Sequence, residues 1–186
     1  MPPNQSAALK RRELSPAYPS LAELDVDVET PSGQLLAADD PALLAMLAGE
    51  SRPSGLSVIR SHRAMTDCRP LSLVSMQTVQ QLGEEVDAPL DKRQFRANIY
   101  AELGTAKGFG EDSFVGRRLQ IGPRVVVSVL ERDARCKMIT IDPDTARETP
   151  AILRNVARAH GGNAGVYCAI MTEGVVQPGD PIALLD

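Results

Sequence analysis

A mainly β fold with a few α-helices, curled into a barrel, is what this chain predicts. Three observations carry that expectation. Short runs of apolar and β-branched residues recur along the sequence, the strongest being Arg124-Val125-Val126-Val127-Ser128-Val129-Leu130. Turn residues divide these runs, with 14 Gly and 14 Pro in 186 residues. Few stretches have the spacing of an amphipathic helix.

Taken in order, Leu24-Asp25-Val26-Asp27-Val28-Glu29 alternates apolar and acidic residues, which predicts a half-buried strand, and Pro31-Ser32-Gly33 turns the chain. Asp40 followed by Pro41 supplies an N-cap and first helical position, with Leu43, Leu44 and Leu47 on one face and a stop at Gly49. A loop over residues 51–55 leads to a strand over 56–59. Residues 71–74 predict a strand running into Ser75, the N-cap of a helix through Met76, Val79 and Leu82 that stops at Gly83. Such a junction presents backbone N–H groups to solvent and can hold an anion such as a phosphate, although plain helix capping, which needs no ligand, is the commoner case. Residues 95–100, 124–130 and 138–141 predict strands, with Asp142-Pro143-Asp144 turning the last. Thr149-Pro150 opens a helix with Ile152, Leu153 and Val156 on one face, and residues 165–171, 174–176 and 182–185 complete a β-rich C-terminal half.

Composition narrows the function classes. A net charge of −4 and a pI near 5.3 argue against a nucleic-acid-binding surface. No apolar run approaches the roughly 20 residues that span a bilayer, and Met1-Pro2-Pro3-Asn4-Gln5-Ser6 lacks the apolar region of a secretory signal. Three cysteines without paired spacing do not form a disulfide framework, so the expected compartment is the reducing cytoplasm. Residues 1–22 read as a flexible N-terminal arm and 23–186 as one domain, with an N-terminal portion over 23–90 and the core motifs over 91–186. All three Phe (Phe95, Phe109, Phe114) fall within one short stretch, which marks it as a local structural centre.

Cys136 is the residue with the most chemistry. Flanked by Arg135 and Lys137, its thiol has two adjacent cations that favour the thiolate, the form that ligates soft metals or acts as a nucleophile. A small buried strand residue, with Arg135 and Lys137 pointing to solvent, is the competing reading. Cys168 lies in an apolar strand and reads as core, Cys68 sits in a loop beside Arg69, and His62 and His160 are isolated from metal-ligating partners.

Four separated pieces combine with that cysteine: Arg93-Gln94-Phe95-Arg96-Ala97-Asn98-Ile99, Phe109-Gly110-Glu111-Asp112-Ser113-Phe114-Val115-Gly116, Arg135-Cys136 through Thr145, and Gly165-Val166-Tyr167 with Gly179-Asp180. In this order and spacing they resemble the MOSC domain family, named after the C-terminal domain of molybdenum cofactor sulfurase. Within it they are most similar to bacterial single-chain relatives of the amidoxime-reducing component. The resemblance implies a MOSC-type β-barrel and a molybdenum cofactor (molybdopterin) ligated through Cys136, which is both the metal ligand and the catalytic residue. It further implies cofactor contacts from Arg96, Asn98, Ser75, Arg135, Thr140, Asp142 and Tyr167. A guanidinium fork suits the cofactor phosphate, and an amide suits a pterin edge. Glu111 and Asp112 are positioned to order their loop through hydrogen bonds.

The implied function is an oxidoreductase acting on N-oxygenated or similar small substrates, with an external electron-transfer protein and with neither nucleic acid nor membrane as partner. A sulfur carrier or transferase using a Cys136 persulfide and a sulfur-donor protein is the alternative, and a non-catalytic accessory protein a third. Pyridoxal phosphate binding also belongs to the family-level vocabulary. Three departures accompany the resemblance. The Lys-Ser segment that leads reductase-type relatives is not matched by Lys10-Arg11-Arg12, so the N-terminal region of the cofactor cradle is shortened. Ala97 replaces a frequent Pro, and Ala146 a frequent Gly, where a side chain would resist a positive φ.

Overall fold

The structure, a computed structural model, describes residues 25–49, 56–59, 68–104 and 107–185. The expected arm, the loop over 51–55 and His62 lie outside the described residues. Two compact units divide the chain, Met1–Ala64 and Met65–Asp186.

In the first unit, strands β1 (Asp27–Glu29) and β2 (Leu35–Ala37) pair antiparallel with Val28 opposite Leu36. Helix α1 (Pro41–Ala48) begins as its sequence predicts: Asp40 Oδ1 accepts the Ala42 N–H at 2.7 Å, and Gly49 ends it at φ +55°. The expected half-burial of β1 is corrected, because all three of its residues are exposed. Residues 56–59 form no ladder, so the strand expected there is absent.

The second unit is built on a six-stranded sheet of order β4-β3-β7-β6-β5-β8, curled as a half-barrel. Its strands are β3 (Leu71–Ser75), β4 (Ile99–Ala101), β5 (Arg118–Ile121), β6 (Val125–Ala134), β7 (Asn163–Thr172) and β8 (Ile182–Leu185). Only β3 and β4 run parallel. Helices α2 (Met76–Glu85) and α3 (Ala151–Ala159) and 3-10 turns at Lys92–Phe95, Gly110–Phe114 and Lys137–Thr140 accompany the sheet.

Four expectations fail for local reasons. Residues 95–98 are not strand, because Asp91 and Gln94 form a reciprocal capping box that coils Lys92–Phe95, and Arg96 closes it at φ +52°. Residues 138–140 coil instead of extending, with the Thr140 hydroxyl donating to Lys137 O at 2.8 Å. Residues 174–176 pair with nothing in the sheet. Gly83 does not stop α2, which continues to Glu85. A Cβ there would sit 2.9 Å from Ala88 O, so glycine lets the chain fold back against the helix.

Side-chain alternation sorts β3 onto two cores. Leu73 joins Leu119, Ile121, Val125, Val127, Val129, Val166 and Cys168 in the core made by the strands. Val74, one residue on, joins Val79, Leu82, Phe95, Ile139, Ile152 and Val156 beneath the helices and turns. The three Phe do not share one centre: Phe95 belongs to the helix-side core, where Phe109 packs at its edge, while Phe114 packs against the strand core.

Burial pushes the Cys168 thiol up to about 12 from 9.0. Its folded pKa is raised, so the stability the neutral thiol contributes is whole below about pH 9 and drains as pH rises toward 12. Relative to Cys168→Val, wild type should lose about 2 kcal/mol between about pH 8 and about pH 10.5, read from urea unfolding midpoints.

Candidate functional site

The site region grows from two ends of strand β3. At its C-terminal end the junction into α2 is a buried cap. The Ser75 Oγ accepts the Thr78 N–H at 3.1 Å, as helix capping predicts. An anion does sit there, but it is internal: the Glu111 carboxylate accepts from Ser75 N–H at 3.1 Å, Ser75 Oγ at 2.7 Å and Thr78 Oγ1 at 2.7 Å. Thr78 Oγ1 also accepts the Phe109 N–H at 2.6 Å. The expectation that this junction shows its N–H groups to solvent is therefore corrected; Ser75, Thr78 and Glu111 are fully buried.

Phe109 in turn stacks on His160 with centroids 3.8 Å apart, and His160 Nε2 lies 2.7 Å from Glu85 Oε2. His160 is thus not isolated, and among the described residues no cluster of three metal-ligating side chains forms. Asp112 faces Arg132 at 3.7 Å, and burial raises its carboxyl above the usual range.

At the N-terminal end of β3, register assembles a row. Ser72 pairs with Tyr167 of β7, and Tyr167 with Glu131 of β6. A bulge after Val129 makes this possible: Val129 opposes Cys168, and two residues later Glu131 opposes the next residue of β7, which turns it onto the face of Tyr167. Asn98 joins the row by side chain, its Oδ1 accepting Ser72 N–H at 2.9 Å and Ser72 Oγ at 3.1 Å. Arg69 Nε bonds Glu131 at 2.8 Å beside the exposed Cys68.

Cys136 lies just past the end of β6, exposed, heading the turn Lys137–Thr140. Its flanking cations each have a carboxylate partner. Lys137 Nζ pairs with Glu148 at 2.7 Å on the surface. Arg135 is folded inward, with 8% of its side chain exposed against 4% for Asp133, whose Oδ2 is 2.8 Å from Nη2. The guanidinium donates from Nε to Ala164 O and from Nη1 to Phe95 O, both at 2.7 Å, and lies 5.3 Å from the Phe95 ring centroid. Nη2 has proximity to Asp133 but no aligned hydrogen bond, leaving a buried donor unsatisfied. Burial pulls the Arg135 pKa below the usual value, against the opposing pull of Asp133. Gly165 lets this happen: at φ +88°, a Cβ there would lie 2.8 Å from Leu73 O and 3.2 Å from Arg135 Nη2.

Two further ties draw the Arg96–Asn98 segment against the cysteine segment. Gln94 Nε2 donates to Ile139 O at 3.0 Å. Arg93 forks onto Asp144 at 2.9 and 2.6 Å. Asp142 Oδ1 organises the following turn, accepting from Asp144 N–H, Thr145 N–H and Thr145 Oγ1 at 3.1, 2.7 and 2.8 Å, and the Thr145 hydroxyl leads in holding its carboxyl below the usual range. The turn leaves Ala146 at φ +55°, the conformation its side chain resists.

The structure thus brings Cys136, Arg135, Tyr167, Asn98 and the exposed Arg96 into one region, with Thr140 and Asp142 shaping the turn beside them. Ser75 stands apart at the other end of β3. Asp133 emerges as an organiser that the sequence reading did not single out, and Arg93 and Gln94, quoted only as part of a motif, gain structural roles. The Asp91–Gln94 spacing of a capping box was a legible signal for one of them. Asp133, two residues before Arg135 on a strand, was a weaker one.

Glu111→Ala should cost about 3 kcal/mol, because three buried donors lose their acceptor, and Glu111→Gln less; urea unfolding reads both. Ala146→Gly should stabilise by about 0.5–1 kcal/mol in the same assay, by relieving the positive φ at some cost in chain entropy.

No helix among the described residues is long and apolar enough to cross a membrane. The MOSC domain model matches residues 60–183. Molybdenum cofactor sulfurase of Drosophila grimshawi is 32% identical over 161 residues, covering 82% of this chain and 20% of that protein, so the chain spans about a fifth of that relative's length. Among solved structures, YiiM from Geobacillus stearothermophilus is similar in fold, with a TM-score of 0.51 and 17% identity over 87% of this chain and 73% of that one. YuaD from Bacillus subtilis aligns with a TM-score of 0.47 and 20% identity over 73% and 71% of the two chains. With its barrel-type sheet and the match across two thirds of its length, the chain belongs to the MOSC domain family.

Proposed function

We propose that this chain binds a molybdenum-pyranopterin cofactor through Cys136 and acts as an oxidoreductase on N-oxygenated or similar small substrates, with electrons supplied by a separate protein. The observation that carries the reading is the exposed Cys136 thiol held beside the Arg96–Asn98 segment by three inter-segment ties: Arg135 to Phe95 O, Gln94 to Ile139 O and Arg93 to Asp144.

The donor set fits the group in part. A solvent-accessible thiol is the soft donor a thiophilic metal requires. Arg96 is exposed and suits an anion, while Asn98, with Oδ1 engaged by Ser72, keeps its Nδ2 donors for a heterocycle edge. The α2 N-terminus does not fit a phosphate, since Glu111 already fills it. Ser75 accordingly caps α2 and has no cofactor contact in this reading. Thr140 and Asp142 shape the turn after Cys136, Tyr167 borders Arg135, and Arg135 itself is committed to main-chain carbonyls. When bound, the cofactor would supply the redox chemistry; the chain supplies the thiolate, the anion contact and their spacing.

A sulfur-carrying role for Cys136 is the second reading, supported by the 32% identity to a protein named molybdenum cofactor sulfurase. The same exposed thiol would carry the persulfide.

Molybdenum and pterin content of protein made in a host that synthesises the cofactor tests the proposal. Near-stoichiometric metal in wild type, lost in Cys136→Ala and reduced in Arg96→Ala, is the expected result. No metal in wild type, with a cofactor-binding control loaded in the same host, overturns it. A persulfide on Cys136 in that metal-free protein would then favour sulfur transfer.

A further inference from the structure

We infer that Arg135 and Asp133 together are a positioning device that sets Cys136 against Arg96, so that one anionic ligand can meet the thiol and the exposed guanidinium at once. The inference rests on the reading of Cys136 and Arg96 as one site.

Adjacency carries the argument. Arg135 Nη1 donates to Phe95 O, and the residues that follow these two bonded partners in sequence are Cys136 and Arg96. A single 2.7 Å bond therefore ties the Arg135 side chain, one residue before Cys136, to the main-chain carbonyl one residue before Arg96. The second bond, Nε to Ala164 O, anchors the same guanidinium to β7, and Asp133 on β6 holds it from behind at 2.8 Å. Three chain segments thus converge on one planar group. A planar fork with fixed donor directions can impose such a geometry; a flexible ammonium cannot. Arg96 is closed into position by its own φ of +52° at the end of the capping-box turn, so little backbone freedom remains between Phe95 O and its side chain. Tyr100 has both Arg135 and Arg96 as electrostatic neighbours, and Arg135 has Tyr100, Tyr167 and Cys136 as its own, which places these groups in one locality.

The geometry also gives the clamp a reason to be charged. Burying the Arg135–Asp133 pair is costly, and an apolar pair of similar volume would serve stability as well or better. The pair directs two hydrogen bonds to specific carbonyls, which apolar side chains cannot do. Its value lies in placement.

The test compares alkylation of Cys136 by iodoacetate, an anion, with that by its neutral analogue iodoacetamide, read by mass spectrometry on the Cys136 peptide. Both reagents consume the thiolate, so their rate ratio cancels changes in thiolate fraction and reports whether a cation guides an anion to the sulfur. Arg96→Ala should lower the iodoacetate-to-iodoacetamide ratio about threefold, the scale of one exposed charge several ångströms away. Arg135→Lys keeps a positive charge beside Cys136 yet should lower the ratio to a similar extent, because the fork is lost. Asp133→Asn is the second variant, read in the same way if Arg135→Lys does not fold, and far-UV circular dichroism establishes folding of each. A general loss of stability would not move the ratio in protein that remains folded. If Arg96→Ala lowers the ratio while folded Arg135→Lys and Asp133→Asn leave it at the wild-type value, the positioning role is overturned and the site stands. If Arg96→Ala leaves the ratio unchanged, Arg96 and Cys136 do not share a ligand, and the site reading fails with it.

Discussion

The carboxylate of Glu111 sits at the C-terminal end of strand β3 with no exposure to water, and much of the second unit's local order passes through it. Removing a carboxylate from water costs several kcal/mol unless its oxygens are met by donors. Here Ser75 N–H, Ser75 Oγ and Thr78 Oγ1 meet them, at the positive end of the α2 dipole. The same constellation fixes where β3 becomes α2 and, through Thr78 and the Phe109 N–H, where the Gly110–Phe114 turn begins. Phe109 then stacks on His160 just beyond the end of α3. A group that resembles a ligand site by sequence is thus an internal counterpart of one, with a side-chain carboxylate in the place an external anion would take.

A second buried charge, on Arg135, performs the complementary task at the other side of the helix-bearing face. Glu111 is an acceptor surrounded by donors; Arg135 is a donor directed at two main-chain carbonyls. Both are polar groups that bind segments distant in sequence, and both are paired within their own unit. Between them the helix-side core of Val74, Phe95, Ile139, Ile152 and Val156 supplies the apolar area. The arrangement leaves Cys136 and Arg96 at the surface of this region. Surface pairs such as Lys137–Glu148 and Arg69–Glu131 contribute little by comparison, because solvent screens them.

The bulge after Val129 shows how local backbone irregularity serves the site. Strict alternation along β6 would put Glu131 in the strand core with Val125, Val127 and Val129. The shifted register instead sets it beside Tyr167. The irregularity falls in a strand whose first half still anchors the strand core through Val125, Val127 and Val129.

The sequence by itself determined the fold class, the caps at Asp40 and Ser75, the long strand from Val125 and the MOSC resemblance, because each depends on residue types a few positions apart. It determined also that Cys168, in an apolar strand, is core; whether Cys136 is exposed it left open, and the fold decided that. It misjudged the segments around Phe95 and Met138, where apolar content suggested strands and side-chain capping at Asp91, Gln94 and Thr140 won. What only the tertiary structure decided is where charges end: that Glu111 closes the α2 N-terminus, and that Arg135 turns inward to Phe95 O and Ala164 O and does not flank the thiol in solvent. The physical reason is that a charged side chain reaches several ångströms and can satisfy itself on partners 29 to 40 residues away. Sequence spacing records which groups are available, and only the folded chain records which of them meet.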